Sequence, residues 1–156
     1  MEKMLIKGVA RDNDVARISI IGVEDVPGIA FHIFSRLAAK RINVDIILQS
    51  VGRDGTKDIT FTVTKSNVQP ALDALSERND VIKAKEVTHD ENLSKVSIVG
   101  AGMVNNAGVA SMMFEALYQA GINIHMISTS EIKISVLIDQ KDAERAVTAI
   151  HDKFMV

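Results

Sequence analysis

Two corners of this sequence combine the residue types that could bind a small charged molecule. The segments DVPGIA (25–30) and NNAGVA (105–110) each place a glycine between an apolar run and a helix-like run. A helix N-terminus at such a corner has unpaired backbone N–H groups and a partial positive charge, which suit a carboxylate. Gly28 and Gly108 would let a ligand approach the backbone closely. Asp25 could accept an ammonium group, so the first corner has partners for both charges of an amino acid, although an ordinary helix start also explains these residues.

No other side chains of the sequence combine into a predicted reaction centre. The four histidines do not pair with a second ligand at metal spacing, and surface or packing roles suit them better: His32, His89, His125 and His151. Acidic residues mostly line helices and turns, and neither a Ser-His-Asp nor a paired-carboxylate arrangement can be argued. The sequence has no Cys, which removes thiolate nucleophiles and Cys-based zinc sites. We therefore expect no catalytic residue, no metal and no cofactor.

The composition and two superficially similar motifs argue against nucleotides, nucleic acid and membranes. The formal net charge is −2, without a basic stripe. VSIVGAGMVNNAG (96–108) misses the dinucleotide-binding G-x-G-x-x-G pattern because Asn105 stands where the third glycine belongs. RNA-recognition folds need stacking aromatics on their central strands, which here offer only Phe61. No apolar run reaches the ~20 residues of a membrane span, and the N-terminus lacks a signal peptide, so we expect a cytoplasmic protein.

The chain contains an internal repeat, which predicts its architecture. Matching segments lie at offsets of 78, 80, 80 and 75 residues: 17–22 with 95–100, 28–30 with 108–110, 42–44 with 122–124, and 59–75 with 134–150. Each copy reads as a β-branched strand, an amphipathic helix, two further strands and a second helix. We predict an α+β fold of two βαββαβ units, with antiparallel sheets and the helices on one face.

The second copy of the repeat ends before its fourth strand. Residues 14–89 contain a complete unit, whereas the last helix of the second copy leaves too few residues for a strand to return. An unpaired sheet edge there would be a liability. The segment Leu5–Ala10 precedes the first unit and has no counterpart in the repeat. We therefore predict a discontinuous second domain, residues 90–156 plus 4–12, in which the N-terminal strand completes the sheet.

The chain resembles tandem ACT domains, and more specifically the regulatory region of aspartokinases (aspartate kinases). The segments that carry the resemblance are ISIIGVEDVPGIA, NVDIILQS with DITFTV, VSIVGAGM and ISTSEIKISVLI (127–138). It covers essentially the whole chain and implies two ferredoxin-like ACT domains that bind amino acids as feedback effectors. In some bacteria this region is made separately as a small β subunit. No kinase segment precedes Met1 in this sequence, so the chain alone is not expected to be an enzyme.

The resemblance also implies two effector sites at interfaces between ACT domains. The first would use Asp25, Gly28, Ile29, Ala30 and Gln49, closed by Asn123 and Ile124 from the other unit of a partner chain. The pseudo-symmetric second would use Asn106, Gly108, Val109, Ala110 and Ser130, closed by Asn43, Val44 and Asp45. Asp45, whose counterpart in the repeat is His125, would suit a lysine ammonium. The second corner departs from the first because it has no acid equivalent to Asp25 and is two residues longer.

Two functions follow as hypotheses from the resemblance. The first is feedback inhibition by threonine, lysine or both, in a chain that forms a homodimer through its ACT domains and works with an aspartokinase catalytic subunit or domain. The second is a stand-alone tandem ACT amino-acid sensor that regulates transcription or another enzyme. The segment ISTSEIKISV favours the first hypothesis. The sequence does not choose between threonine and lysine, and it leaves open whether Met1 is a native start.

Overall fold

The structure is a computed structural model that describes residues 6–76, 83–100 and 107–154. Within these ranges, the strands and helices follow in this order: β1 (Ile6–Glu24), α1 (Ile29–Ala39), β2 (Ile47–Gln49), β3 (Thr56–Val63), α2 (Val68–Ser76), β4 (Glu86–Gly100), α3 (Ala107–Gln119), β5 (Met126–Thr129), β6 (Lys133–Asp139) and α4 (Ala143–Phe154). Short 3-10 turns, Lys65–Asn67 and Gln140–Asp142, precede α2 and α4. The predicted α+β class is confirmed.

The chain divides into two compact units. The first unit is residues 14–91, and the second unit is residues 92–156 together with residues 1–13. In the first unit the strands lie in the order β2-β3-β1-β4, and in the second unit they lie in the order β1-β4-β6-β5. The pairs β1 with β3, β2 with β3, β4 with β6, and β5 with β6 are all antiparallel.

Strands β1 and β4 are longer than the sequence predicted, because each is one continuous strand where we expected two. They contain 19 and 15 residues. The polar segments ARDND (10–14) and HDENL (89–93) lie inside these strands, and they contain neither glycine nor proline, the residues that most strongly interrupt a strand. Hydrogen bonding also supports the continuity, since Ser94 Oγ donates to Asn13 Oδ1 at 2.7 Å. Helix α4 continues to Phe154.

The core of the first unit forms where α1 packs against the sheet. Ile29, Ile33 and Leu37 recur every four residues along α1, so they share one face, and all three are buried. They join a buried cluster that includes Ile18 and Phe61 from the central strands. This burial of the apolar stripe, more than helix propensity, holds α1 in place.

The second unit has a matching core, and β1 contributes to it. Val109, Met113 and Leu117 of α3 are buried in a cluster with strands β4 and β6 and helix α4. The half-buried side chain of Val9, on β1, packs against the same cluster. The N-terminal strand therefore supplies apolar surface to the second unit.

Backbone hydrogen bonds repeat at the offsets that the sequence predicted. After α1, the Ile42 N–H donates to Leu37 C=O at 3.0 Å, and after α3 the Ile122 N–H donates to Leu117 C=O at 2.9 Å. Arg41 closes α1 with a left-handed φ of 59°, where the second unit has Gly121 with φ 71°. The two helix ends therefore share one geometry but differ in the residue that adopts it.

None of the helices in the described part of the chain is long and apolar enough to cross a membrane.

Substitutions at the two helix ends should have opposite effects on the free energy of unfolding. Arg41→Gly should raise the free energy of unfolding by ~1 kcal/mol, because glycine lacks the Cβ that makes the left-handed conformation unfavourable. Gly121→Ala should lower it by a similar amount. Urea unfolding of both variants beside the wild type measures the changes, and a less stable Arg41→Gly variant would contradict the shared geometry.

The role of the N-terminal strand can be tested with two neighbouring residues. Val9→Asp should destabilise the second unit by about 2 kcal/mol or more, because it places a charge against an apolar cluster. Ala10→Asp is the matched control, since Ala10 is exposed on the same strand. Thermal unfolding compares the two variants, and equal melting temperatures would show that the strand does not serve this core.

Candidate functional site

The first corner lies in the first unit, in the turn that connects β1 to α1. The Asp25 N–H donates to the Gly55 carbonyl at 2.9 Å, which ties the end of β1 to the loop between β2 and β3. Gly28 then occupies the N-cap position of α1 with a left-handed φ of 91°. A Cβ at this position would meet only the His32 side chain, with Nε2 at 3.9 Å and Cδ2 at 4.0 Å, so the backbone angle and not the available space requires glycine.

The N-terminus of α1 has backbone donors to offer. Among the described residues, no side chain caps this helix. The Ile29 N–H reaches the Val26 carbonyl only at 3.5 Å, a long contact for a hydrogen bond. The amides of the first turn, at residues 29–31, therefore point out of the helix end without a side-chain acceptor, in an arrangement that suits an anion.

The side chains of the predicted first site divide into exposed and buried groups. Asp25, Gly28 and Gln49 are exposed, whereas Ile29 is buried in the core and Ala30 is half-buried. Only the backbone of Ile29 can therefore meet a ligand, while Asp25 and Gln49 can use their side chains. Gln49 ends β2 opposite Ile59 of β3.

The carboxylate of Asp25 already has neighbours of its own. Lys57 Nζ lies 3.2 Å from Asp25 Oδ1, and the side chain of Lys57 is 10% exposed, against 44% for Asp25. On the other side, a Cβ added at Gly52 would collide with Asp25 Oδ2. The carboxylate is thus fixed between a nearly buried ammonium and the backbone of the β2–β3 loop, with part of its surface open.

A second acid, Asp58, links this corner to the neighbouring loop by hydrogen bonds. Asp58 Oδ1 accepts the Gly22 N–H at 2.9 Å, at the point where the register of β1 against β3 shifts. The Asp58 N–H in turn donates to Ser50 Oγ at 2.9 Å, which holds the loop that follows Gln49. The loop and the corner are therefore fixed to one another within the first unit.

The second corner is only partly described. Asn106 lies outside the described residues. Gly108 is exposed at the start of α3, Val109 is buried and Ala110 is half-buried, which repeats the pattern of the first corner. Ser130 is exposed, and its N–H donates to the Lys133 carbonyl at 2.7 Å.

The residues predicted to close the sites lie where each unit runs from its first helix to its edge strand. Asn43 and Asp45 are exposed in the first unit, as are Asn123 and His125 at the corresponding positions of the second. Val44 and Ile124 are half-buried against the core of their own unit.

The equivalent positions of Asp45 and His125 make matching backbone contacts. The Asp45 N–H donates to the Thr62 carbonyl at 3.1 Å, and the His125 N–H donates to the Leu137 carbonyl at 2.7 Å. The His125 side chain makes a further contact, because its Nε2 lies 2.8 Å from Asp139 Oδ1.

Sequence reasoning missed Lys57 and Gly52. The segment GRDGT (52–56) is typical of a turn, and Lys57 follows it directly at the start of the next strand. Lys57 lies opposite Val23 on β1, two residues from Asp25, so the pairing depends on the register between the strands. A lysine at the start of an apolar strand was the signal that could have revealed it.

The comparisons with known proteins agree with the fold. A family model described as ACT domain matches residues 18–79 and 96–154. The crystal structure of the regulatory subunit of aspartate kinase from Thermus thermophilus, in a ligand-free form, has a TM-score of 0.92 and 42% identity, and the match covers 97% of this chain and 99% of that one. A crystal structure of aspartokinase alpha and beta subunits has a TM-score of 0.90 and 45% identity, with the same coverage.

Longer relatives match over part of their length. An aspartokinase from Helicobacter pylori is 52% identical over 151 residues, which are 97% of this chain and 37% of that protein. An aspartokinase from Pseudomonas aeruginosa is 49% identical over 154 residues, again 37% of its length. This chain therefore spans little more than a third of these aspartokinases. Its two units, their matching family model and its likeness over the full length of a regulatory subunit show that the chain belongs to the tandem ACT-domain regulatory family of the aspartokinases.

Proposed function

We propose that this chain is the allosteric amino-acid-binding part of an aspartokinase, and that threonine, lysine or both act as its feedback effectors. The observation that carries the proposal is the uncapped N-terminus of α1, which follows a left-handed Gly28 and lies beside the Asp25 carboxylate. A ligand carboxylate would accept from the amides of α1, and its ammonium would donate to Asp25. Membership in the tandem ACT regulatory family supports this assignment.

The first effector site would combine the first corner with Gln49. Its residues would be Asp25, Gly28, Ile29, Ala30 and Gln49, closed by Asn123 and Ile124 of a second chain. Ile29 and Ala30 would contribute backbone amides, because Ile29 is buried in the core. Since the site would need two chains, a homodimer is part of the proposal.

The second effector site would use the equivalent corner of the second unit. Its described residues would be Gly108, Val109, Ala110 and Ser130, with Asn43, Val44 and Asp45 of a second chain as the closing edge. The carboxylate of Asp45 would suit the side-chain ammonium of lysine. The two corners differ in charge and loop length, so we expect them to differ in affinity.

Effector binding would act by favouring one arrangement of the ACT domains over another. An amino acid that contacts two chains must bind one arrangement more tightly, or it shifts no equilibrium. A typical coupling free energy of ~1–3 kcal/mol changes affinity about 5- to 150-fold. In the complete system, working in the cytoplasm, this coupling would bias an aspartokinase catalytic subunit or domain toward an inactive state.

Calorimetric titration of the chain with threonine and with lysine tests the proposal. At least one amino acid should bind, and Asp25→Ala should weaken the ligand of the first corner ~10-fold or more, because the ligand ammonium loses a charged acceptor. Glu24→Ala is the matched control: Glu24 is the adjacent exposed acid, and its removal should leave the affinity within about twofold.

Two results would overturn these assignments. If neither amino acid binds the wild type, the effector role is wrong. If Asp25→Ala and Glu24→Ala have equal affinities, binding does not depend on the first corner as described.

A further inference from the structure

The ion pair between Lys57 and Asp25 changes the charge that the first corner presents to a ligand. The Lys57 ammonium is 3.2 Å from Asp25 Oδ1 and its side chain is nine-tenths buried, so water screens this pair less than an exposed one. Asp25 and Lys57 together carry no net charge. The corner therefore offers a carboxylate as a hydrogen-bond acceptor without offering an uncompensated negative charge.

The geometry restricts the Asp25 carboxylate to its place beside Lys57. The Asp25 backbone is held by Gly55, and a Cβ at Gly52 would collide with Asp25 Oδ2, so the carboxylate has little freedom to turn away from Lys57. A carboxylate has about four acceptor positions, so its open surface can still accept from a ligand ammonium. The nearby Asp58 uses Oδ1 to accept the Gly22 N–H and braces the same loop.

A ligand with one ammonium and one carboxylate balances its own charges at such a corner. Its ammonium meets Asp25 and its carboxylate meets the positive end of α1. A ligand with a second ammonium brings one more positive charge close to Lys57. The Asp25 carboxylate does not compensate this charge, because Lys57 already neutralises it. Repulsion between like charges a few ångströms apart disfavours this ligand.

We propose that Lys57 is a specificity-determining residue of the first corner: by neutralising Asp25 in place, it sets how strongly the corner rejects an amino acid with a second ammonium. This proposal rests on the proposed function, because it assumes that an amino acid binds beside Asp25.

The second unit provides an internal comparison. The register that aligns β3 with β6 places Ile132 at the position of Lys57, and Ile132 is 58% exposed. The second corner therefore lacks this cation. The effect of ligand charge on binding can therefore differ between the two corners.

The test compares ligand preference in the wild type, Lys57→Met and Lys57→Arg by calorimetric titration with threonine and with lysine. Heat that disappears in Asp25→Ala is assigned to the first corner. In Lys57→Met the affinity for lysine relative to threonine should rise ~10-fold, because the repelling charge is gone. Lys57→Arg keeps the charge, so the ratio should stay within about twofold of the wild type.

The affinity ratio of lysine to threonine separates a role of Lys57 in specificity from a purely structural role. Loss of packing alone would weaken both amino acids together and leave the ratio unchanged, and that result would overturn the proposal. If threonine binds in an Asp25-dependent manner while the affinity ratio of lysine to threonine is the same in Lys57→Met and the wild type, the effector function stands and only the role of Lys57 fails. If no amino acid gives Asp25-dependent heat, the effector function itself fails.

A second measurement needs no substitution and applies if Lys57→Met does not fold. Norleucine has the four-carbon side chain of lysine with a hydrogen in place of the side-chain ammonium. The wild-type first corner should bind norleucine ~10-fold more tightly than lysine. Equal or weaker binding of norleucine would contradict the proposal that the first corner rejects a second ammonium.

Discussion

The turn from β1 into α1 depends on a single backbone angle, the left-handed φ of 91° at Gly28. Gly28 adopts this angle at the N-cap of α1, the next residue Ile29 is buried in the core, and no described side chain caps the first amides of the helix. Burial of Ile29, Ile33 and Leu37 then holds the helix against the sheet, which keeps those amides in a fixed direction. The proposed carboxylate site is therefore a consequence of how the core is packed.

Charge at the first corner is controlled by strand pairing. The antiparallel register of β1 with β3 brings Lys57 opposite Val23, within reach of Asp25 two residues further along the chain. The backbone of the β2–β3 loop lies against the other carboxylate oxygen. One acid thus joins the fold of the first unit to its proposed ligand chemistry, whereas the second unit has Ile132 in place of Lys57.

Sequence analysis predicted the features that depend on local pattern. The four-residue spacing of Ile29, Ile33 and Leu37 and the matching segments of the repeat predicted the helices, the antiparallel sheets and the α+β class. It did not predict that β1 and β4 are continuous, because polar residues such as those at 10–14 resemble a loop until a neighbouring strand pairs with them. It also missed Lys57, whose partner is set by inter-strand register and not by sequence separation.

The most direct test of the account is a crystal structure of the chain grown with saturating threonine and, separately, with lysine. The account predicts an amino-acid carboxylate within hydrogen-bond distance of the first-turn amides of α1, roughly 2.7–3.2 Å, with the ammonium beside Asp25. Crystals in which water alone occupies both glycine corners would contradict it.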